Sequence, residues 1–236
     1  MKYDDLGSLS ISTKDKKMKN TISTHNKLTS LLTLIFLVCL IGASYSQSQF
    51  DSGMQKGFGL WKENKAMEAS ALFERIAQAE KDNWIPYYYA ANTLITASFE
   101  SKDATKTNEI LKKAATFIEK AKKLSPDNSE LRTLEGLLYT GYVAMDPATY
   151  GMQYSGKIMN LHAEAIELDP ANPRAQLNKI EYEIGSARFF GTALSTFCDA
   201  IVGTKPLFDN QKKPSAYYPN YGVDRIELLQ KQCDCK

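Results

Sequence analysis

Histidine is scarce in this chain, with two residues in 236, and only His162 lies beyond the first 46. General acid–base chemistry and most zinc sites draw on histidine, so its scarcity narrows both. Catalytic signatures are missing as well: there is no Gly-rich phosphate loop, no G-x-S-x-G elbow, no H-E-x-x-H and no paired C-x-x-C. Strand-like alternation and the Asn-Gly or Asp-Gly turns that join hairpins do not occur. A concentrated basic face is lacking too. The first 46 residues hold six Lys/Arg and three Asp/Glu, so the rest of the chain carries a formal charge of −1. That balance argues against nucleic acid as a partner. The group Lys112, Lys113, Lys120, Lys122 and Lys123 sits among Ala and Leu at helical spacing and reads as a solvated helix face.

Only one long apolar run is present, Leu28 to Ala43, preceded by Lys19 and Lys27 and followed by Ser44, Tyr45 and Ser46. This is the layout of a secretory signal peptide, with cleavage expected after Ser46. Its sixteen residues fall short of the roughly 20 that span a bilayer, so no membrane span is expected once it is removed. An uncleaved N-terminal anchor is the other reading. Val38 stands before Cys39, where a lipid-attachment site wants a small residue, and Met18 is an alternative start. Cys198, Cys233 and Cys235 remain, and in an exported protein two of them can tie the C-terminal tail to the last helical pair. The sequence leaves open which two.

The chain contains a repeat. Ala121–Asn128 (AKKLSPDN) and Ala165–Asn172 (AIELDPAN) share the pattern A-x-x-L-[SD]-P-x-N and lie 44 residues apart, with a weaker copy at Ile76–Asn83 another 45 upstream. Between them, apolar residues recur at three and four: Ala69, Leu72, Phe73, Ile76, then Tyr87, Ala90, Ala91, Leu94, then Leu111, Ala114, Ala115, Ile118, Ala121. Each Pro-x-Asn precedes a new periodic run, where proline interrupts no hydrogen bond and Asn128 or Ser129 can cap the next helix. The chain reads as helix, turn, helix, repeated, with each pair burying its face on the next.

This pattern resembles the tetratricopeptide repeat, whose signature is W-x2-L-G-x2-Y, then A-x3-F, then P. The first unit carries Gly53-x2-Lys56-Gly57-x2-Leu60 and Ala69-x3-Phe73. The second carries Tyr87-x2-Ala90-Ala91-x2-Leu94, Ala114-x3-Ile118 and Pro126; the third, Arg132-x2-Glu135-Gly136-x2-Tyr139, Ile158-x3-His162-x2-Ala165 and Pro170. A fourth unit from Pro173 fits by its apolar spacing at Leu177, Ile180 and Ile184. Units two and three exceed the usual 34 residues by about ten, and the excess is expected near Ser98 to Thr107 and Met145 to Ser155. A HEAT-like array, with a period of about 40 to 47, is the rival architecture. The expected fold is therefore all-α: an array of three to four antiparallel helix pairs over residues 47–200, after a leader at 1–46. Residues 201–236 form a Pro/Tyr-rich loop and a capping helix, with Tyr217, Tyr218 and Tyr221 expected to pack on the fourth pair.

In such an array the first helix of each pair lines a concave wall. Met54, Phe58 and Trp61, at i, i+4 and i+7, lie beside the packing stripe of the first unit, and Tyr88, Asn92 and Ile95 hold the same offset in the second. These six residues are the candidate binding face, suited to a peptide with apolar anchors. The competing reading makes them core, covered by the N-terminal segment or by the tyrosine-rich tail folding back. Cys233-Asp-Cys235 gives at best half a tetrahedral metal site, and His162 stands where the repeat wants a large buried side chain. We therefore expect a non-catalytic, cofactor-free scaffold, exported to the periplasm or beyond, that binds a protein or peptide partner in its groove. The alternative is an assembly subunit acting through its edges and tail.

Overall fold

The computed structural model describes residues 47–235, and the expected leader lies outside them. Helices follow one another in chain order: α1 (47–62), α2 (Ala66–Ala79), α3 (Ile85–Glu100), α4 (Ala104–Leu124), α5 (Ser129–Met145), α6 (Pro147–Leu168), α7 (Pro173–Phe190), a 3-10 turn (Leu194–Phe197), α8 (Cys198–Asp209) and α9 (Asp224–Gln232). No strand occurs among the described residues. Neighbours in sequence pack on one another, and α5 also touches α3 and α7. These three helices thus form an inner layer backed by α4 and α6.

The repeat pattern has a direct physical counterpart. A Cβ at Gly57 would fall 2.5 Å from the Phe73 ring, and one at Gly136 would fall 2.7 Å from the His162 ring. The small residue of the motif lets the two helices of a pair approach, and the large one fills the contact. Helix starts repeat in the same way. Asn128 accepts from Glu130 N and Leu131 N, and Asn172, one repeat later, accepts from Arg174 N and Ala175 N. Asn172 also donates to Ser129 Oγ at 2.8 Å, while Ser129 donates to Ala165 O at 2.7 Å. One turn is thereby stitched to the next.

The additional residues of units two and three lengthen helices instead of forming loops. A single residue, Asp146, separates α5 from α6; it caps α6 through Thr149 N, and Pro147 occupies the first turn, where its missing N–H costs nothing. The protruding hairpin is stiffened by Tyr139, Tyr142, Tyr150 and Tyr154, with ring centroids 4.8–6.3 Å apart. Each such ring pair contributes about 0.5–1.5 kcal/mol beyond area burial. On α4 the lysine face is only partly bare, since Lys120 lies over Tyr87 and Phe117, and Lys122 pairs with Glu135 at 2.9 Å.

The last apolar face is covered as an array requires. Leu177, Ile180 and Ile184 of α7 pack with Ile201 of α8, Ile226 and Leu229 of α9, and Cys233. Cys198 and Cys235 form the disulfide and Cys233 is a buried thiol. Helix α8 runs through residues 200 and 201.

Candidate functional site

The concave wall is closed by the chain's own tail. Of the six expected wall residues, Met54, Tyr88, Asn92 and Ile95 are fully buried, and Phe58 and Trp61 are half-buried. The tyrosines of the tail do not stop at the fourth pair, as their nearness in sequence suggested, but run back across the inner side to the first two. Tyr217 stacks on Phe58 with centroids 6.1 Å apart, and Tyr218 meets Trp84 edge-on at 6.0 Å. The Tyr221 hydroxyl bonds to that of Tyr88 and accepts from Asn92 Nδ2 at 3.0 Å. The reason is a buried charge that holds the tail in place. Arg174, 1% exposed, grips Glu130, also 1% exposed, through Nε at 2.8 Å and Nη2 at 2.6 Å. Its remaining nitrogen reaches Tyr221 O and Gln211 Oε1, both at 3.3 Å, and its guanidinium lies 5.6 Å from the Tyr221 ring. Burial pushes the phenols of Tyr218 and Tyr221 each up to about 12, and that of Tyr88 well above its ordinary value. Burial raises Glu130, against the pull of Arg174. A cavity of about 440 Å³ persists on this side, lined by Phe58, Trp61, Tyr89 and the tail residues Tyr217, Tyr218 and Tyr221.

A larger groove lies elsewhere, at the tip of the lengthened hairpin. Its volume is about 810 Å³, within the roughly 300–1,000 Å³ of small-molecule sites. Three helix faces wall it, each at helical spacing. Helix α5 gives Thr140, Val143 and Ala144; α6 gives Ala148, Gly151, Met152 and Ser155; α7 gives Tyr182, Gly185, Ser186, Phe189 and Phe190. Small residues leave the space open: a Cβ added at Gly151 or Gly185 would meet no atom within 4 Å. These glycines therefore serve the void, unlike Gly57 and Gly136, which serve close packing. Large apolar side chains stand at the rim, with Met152 96%, Phe189 73% and Phe190 78% exposed.

The groove is poor in charge. Glu181, at its edge, is held by Arg225, which also reaches Asn178 Oδ1 at 3.2 Å. Ser155 and Thr140 donate back to the helix carbonyls of Gly151 and Gly136. No lysine or arginine lines it. Among the described residues no cluster of His, Cys, Asp and Glu could hold a metal ion, and no helix is long and apolar enough to cross a membrane. His162 of α6 is sealed against Gly136 of α5 with neither ring nitrogen partnered, and burial lowers its pKa to about 4.

The composition of the α6 and α7 faces carried the signal that sequence reasoning missed. Ala148, Gly151, Ser155, Gly185 and Ser186 are small residues placed where a packing helix would carry large ones.

No family model matches the sequence, and neither does any curated protein. Among solved structures the chain is similar to the HusA haemophore from Porphyromonas gingivalis, with a TM-score of 0.68 at 22% sequence identity. The likeness spans 79% of this chain and 94% of that one. At that identity it speaks to the fold, an all-helical array with the same overall course.

Proposed function

We propose that the chain is a non-catalytic carrier that binds a flat, largely apolar tetrapyrrole of the haem class in the groove between α5, α6 and α7. The single observation behind this reading is the groove itself: about 810 Å³, walled by small residues and rimmed by Met152, Phe189 and Phe190. The haemophore named above supplies the cargo class to test. Such a ligand gains affinity from apolar area removed from water, and with no cationic side chain lining the groove its carboxylates would sit at the open mouth. The groove hydroxyls of Thr140 and Ser155 are engaged with backbone, which favours binding over chemistry. The repeat is of the tetratricopeptide type in this reading, and the Cys198–Cys235 disulfide accords with export to an oxidising compartment, the periplasm or the medium.

Optical titration of the full chain with haemin tests the proposal. Gly151→Phe combined with Gly185→Phe places two rings in the groove from positions where an added Cβ meets nothing within 4 Å, so binding should be lost while the unfolding midpoint holds. Unchanged binding in that variant overturns the site.

A second reading keeps a partner segment on the wall of Met54, Phe58, Trp61, Tyr88, Asn92 and Ile95, reached when the tail withdraws. The cavity left between Phe58, Trp61 and the tail favours it. Trp61→Ala separates the two: it should leave haemin binding intact if the hairpin groove is the site.

A further inference from the structure

The cavity of about 440 Å³ between the inner wall and the tail has a composition unlike that of the hairpin groove. Phe58 and Trp61 of α1 and Tyr89 of α3 line one side, and Tyr217 and Tyr218 of the tail line the other. The rings form one connected set. Phe58 meets Tyr89 edge-on at 4.6 Å and stacks on Tyr217 at 6.1 Å, and Trp61 meets Tyr89 at 6.4 Å. All but Tyr89 are half-buried, so the set remains reachable from solvent. We propose that this cavity, with the tail in place, binds a small organic cation of the quaternary ammonium class, held by the aromatic rings and by Asp224. The proposal is independent of the haem reading of the groove.

Charge decides the sign of the ligand. Two charged residues line the cavity, Asp224 and Arg225. Arg225 is already matched: its Nε donates to Glu181 at 2.6 Å, its Nη2 pairs with the same carboxylate, and its Nη1 donates to Asn178 Oδ1 at 3.2 Å. Asp224 is exposed and has no ion pair among the described residues. The lining therefore carries one uncompensated negative charge. Beneath it the Glu130 and Arg174 charges cancel. Lys62 borders Phe58 and Trp61 but does not line the cavity, and it is exposed, where salt screens its charge.

Aromatic faces attract cations through the ring quadrupole, and the attraction grows as the cation leaves water. Burial raises the phenols of Tyr89 and Tyr218, so these rings stay neutral at ordinary pH. A quaternary ammonium suits such walls because it has no N–H and leaves no hydrogen bond unmade among them. A primary ammonium brings three donors, and Asp224 is the single carboxylate in the lining to receive them. An anion would be repelled by Asp224, and a neutral ring would gain nothing from it. The volume falls within the roughly 300–1,000 Å³ of small-molecule sites. The same head group occurs on free choline and on a zwitterionic lipid, two sources that one experiment can separate.

The experiment is calorimetric titration of the full chain with tetramethylammonium, choline and neohexanol, the uncharged carbon isostere of choline, together with co-sedimentation on phosphatidylcholine and phosphatidylglycerol vesicles. Both cations should bind saturably, and neohexanol should bind about 10-fold more weakly. Trp61→Leu should weaken choline by about 10-fold. Asp224→Asn should weaken it by about 2- to 5-fold, and by less at high salt; it alters an exposed side chain, so loss of the fold cannot account for its effect. Gly151→Phe with Gly185→Phe should bind choline as wild type does. Binding of choline without retention on vesicles identifies the free cation as the source. Retention on phosphatidylcholine but not phosphatidylglycerol, lost in Trp61→Leu, identifies the lipid head group. Equal affinity for neohexanol, full choline affinity in both variants, or no binding of either cation or of phosphatidylcholine vesicles overturns the proposal, whatever haemin does at the groove.

Discussion

The inner wall and the hairpin groove are both concave, both lined by helix faces, and both rich in aromatic or apolar side chains, yet they have opposite characters. The wall is polar at its centre, where Glu130, Arg174, Asn92, Tyr88 and Tyr221 are linked across α3, α5, α7 and the tail, with Asn92 Oδ1 the one buried atom of the set left without a partner. The groove has almost no polar links, is floored by glycine, alanine and serine, and is rimmed by exposed Phe189, Phe190 and Met152. Hydrogen bonds between buried groups demand one fixed arrangement, because every unpaired member costs the full desolvation of its group. Apolar contacts demand only area. The wall thus holds a specific segment of the same chain, whereas the groove is left open.

Breaking the wall should cost most. Arg174→Ala strands the Glu130 charge in the core and should destabilise the fold by about 3–5 kcal/mol in urea unfolding, whereas Arg174→Met with Glu130→Leu should cost far less. Acid acts next, through His162. The unfolded chain takes up this proton near 6.5, whereas burial, with Lys179 adding to it, holds the folded value at about 4. The unfolded state therefore binds more protons in that interval, and stability falls as pH drops from 6.5 toward 4, by about 3 kcal/mol in total. His162→Leu should flatten that part of the stability–pH curve. Tyr221→Phe leaves Tyr88 and Asn92 without their shared partner and should cost about 1–3 kcal/mol, with faster proteolysis of residues 210–222 as the local readout. At the small end, Gly151→Phe and Gly185→Phe each should change stability by less than about 0.5 kcal/mol while weakening haemin binding. A fold loss from the groove variants, or no loss from Arg174→Ala, would collapse the distinction between the two surfaces.

Sequence carried the scaffold further than the site. Gly57 and Phe73, or Gly136 and His162, announce a helical pair because close approach forces a small residue opposite a large one, and Asn128 and Asn172 announce helix starts through their capping chemistry. The tail was legible only as one of two readings, the fourth pair or a fold-back over the first two, since Tyr217, Tyr218 and Tyr221 show no periodicity and the choice depends on Arg174, a charge that sequence alone gave no reason to bury. The Met145 to Ser155 stretch read as an insertion between helices, although Asp146-Pro147 is a cap followed by a first-turn proline and so a helix start. The groove followed from that misplacement, because only a continuous α6 brings Ala148, Gly151 and Ser155 onto one face.

The Cys198–Cys235 bond turns the last stretch of the chain into a covalent ring, and the tyrosine segment that closes the wall lies inside it. A single protease cut anywhere between those two cysteines opens the ring without freeing either piece. The nicked molecule would keep its tail attached at both ends, and its mass would increase by one water. Only reduction together with cleavage would release the segment, so a single cut in this loop leaves the inner face still covered.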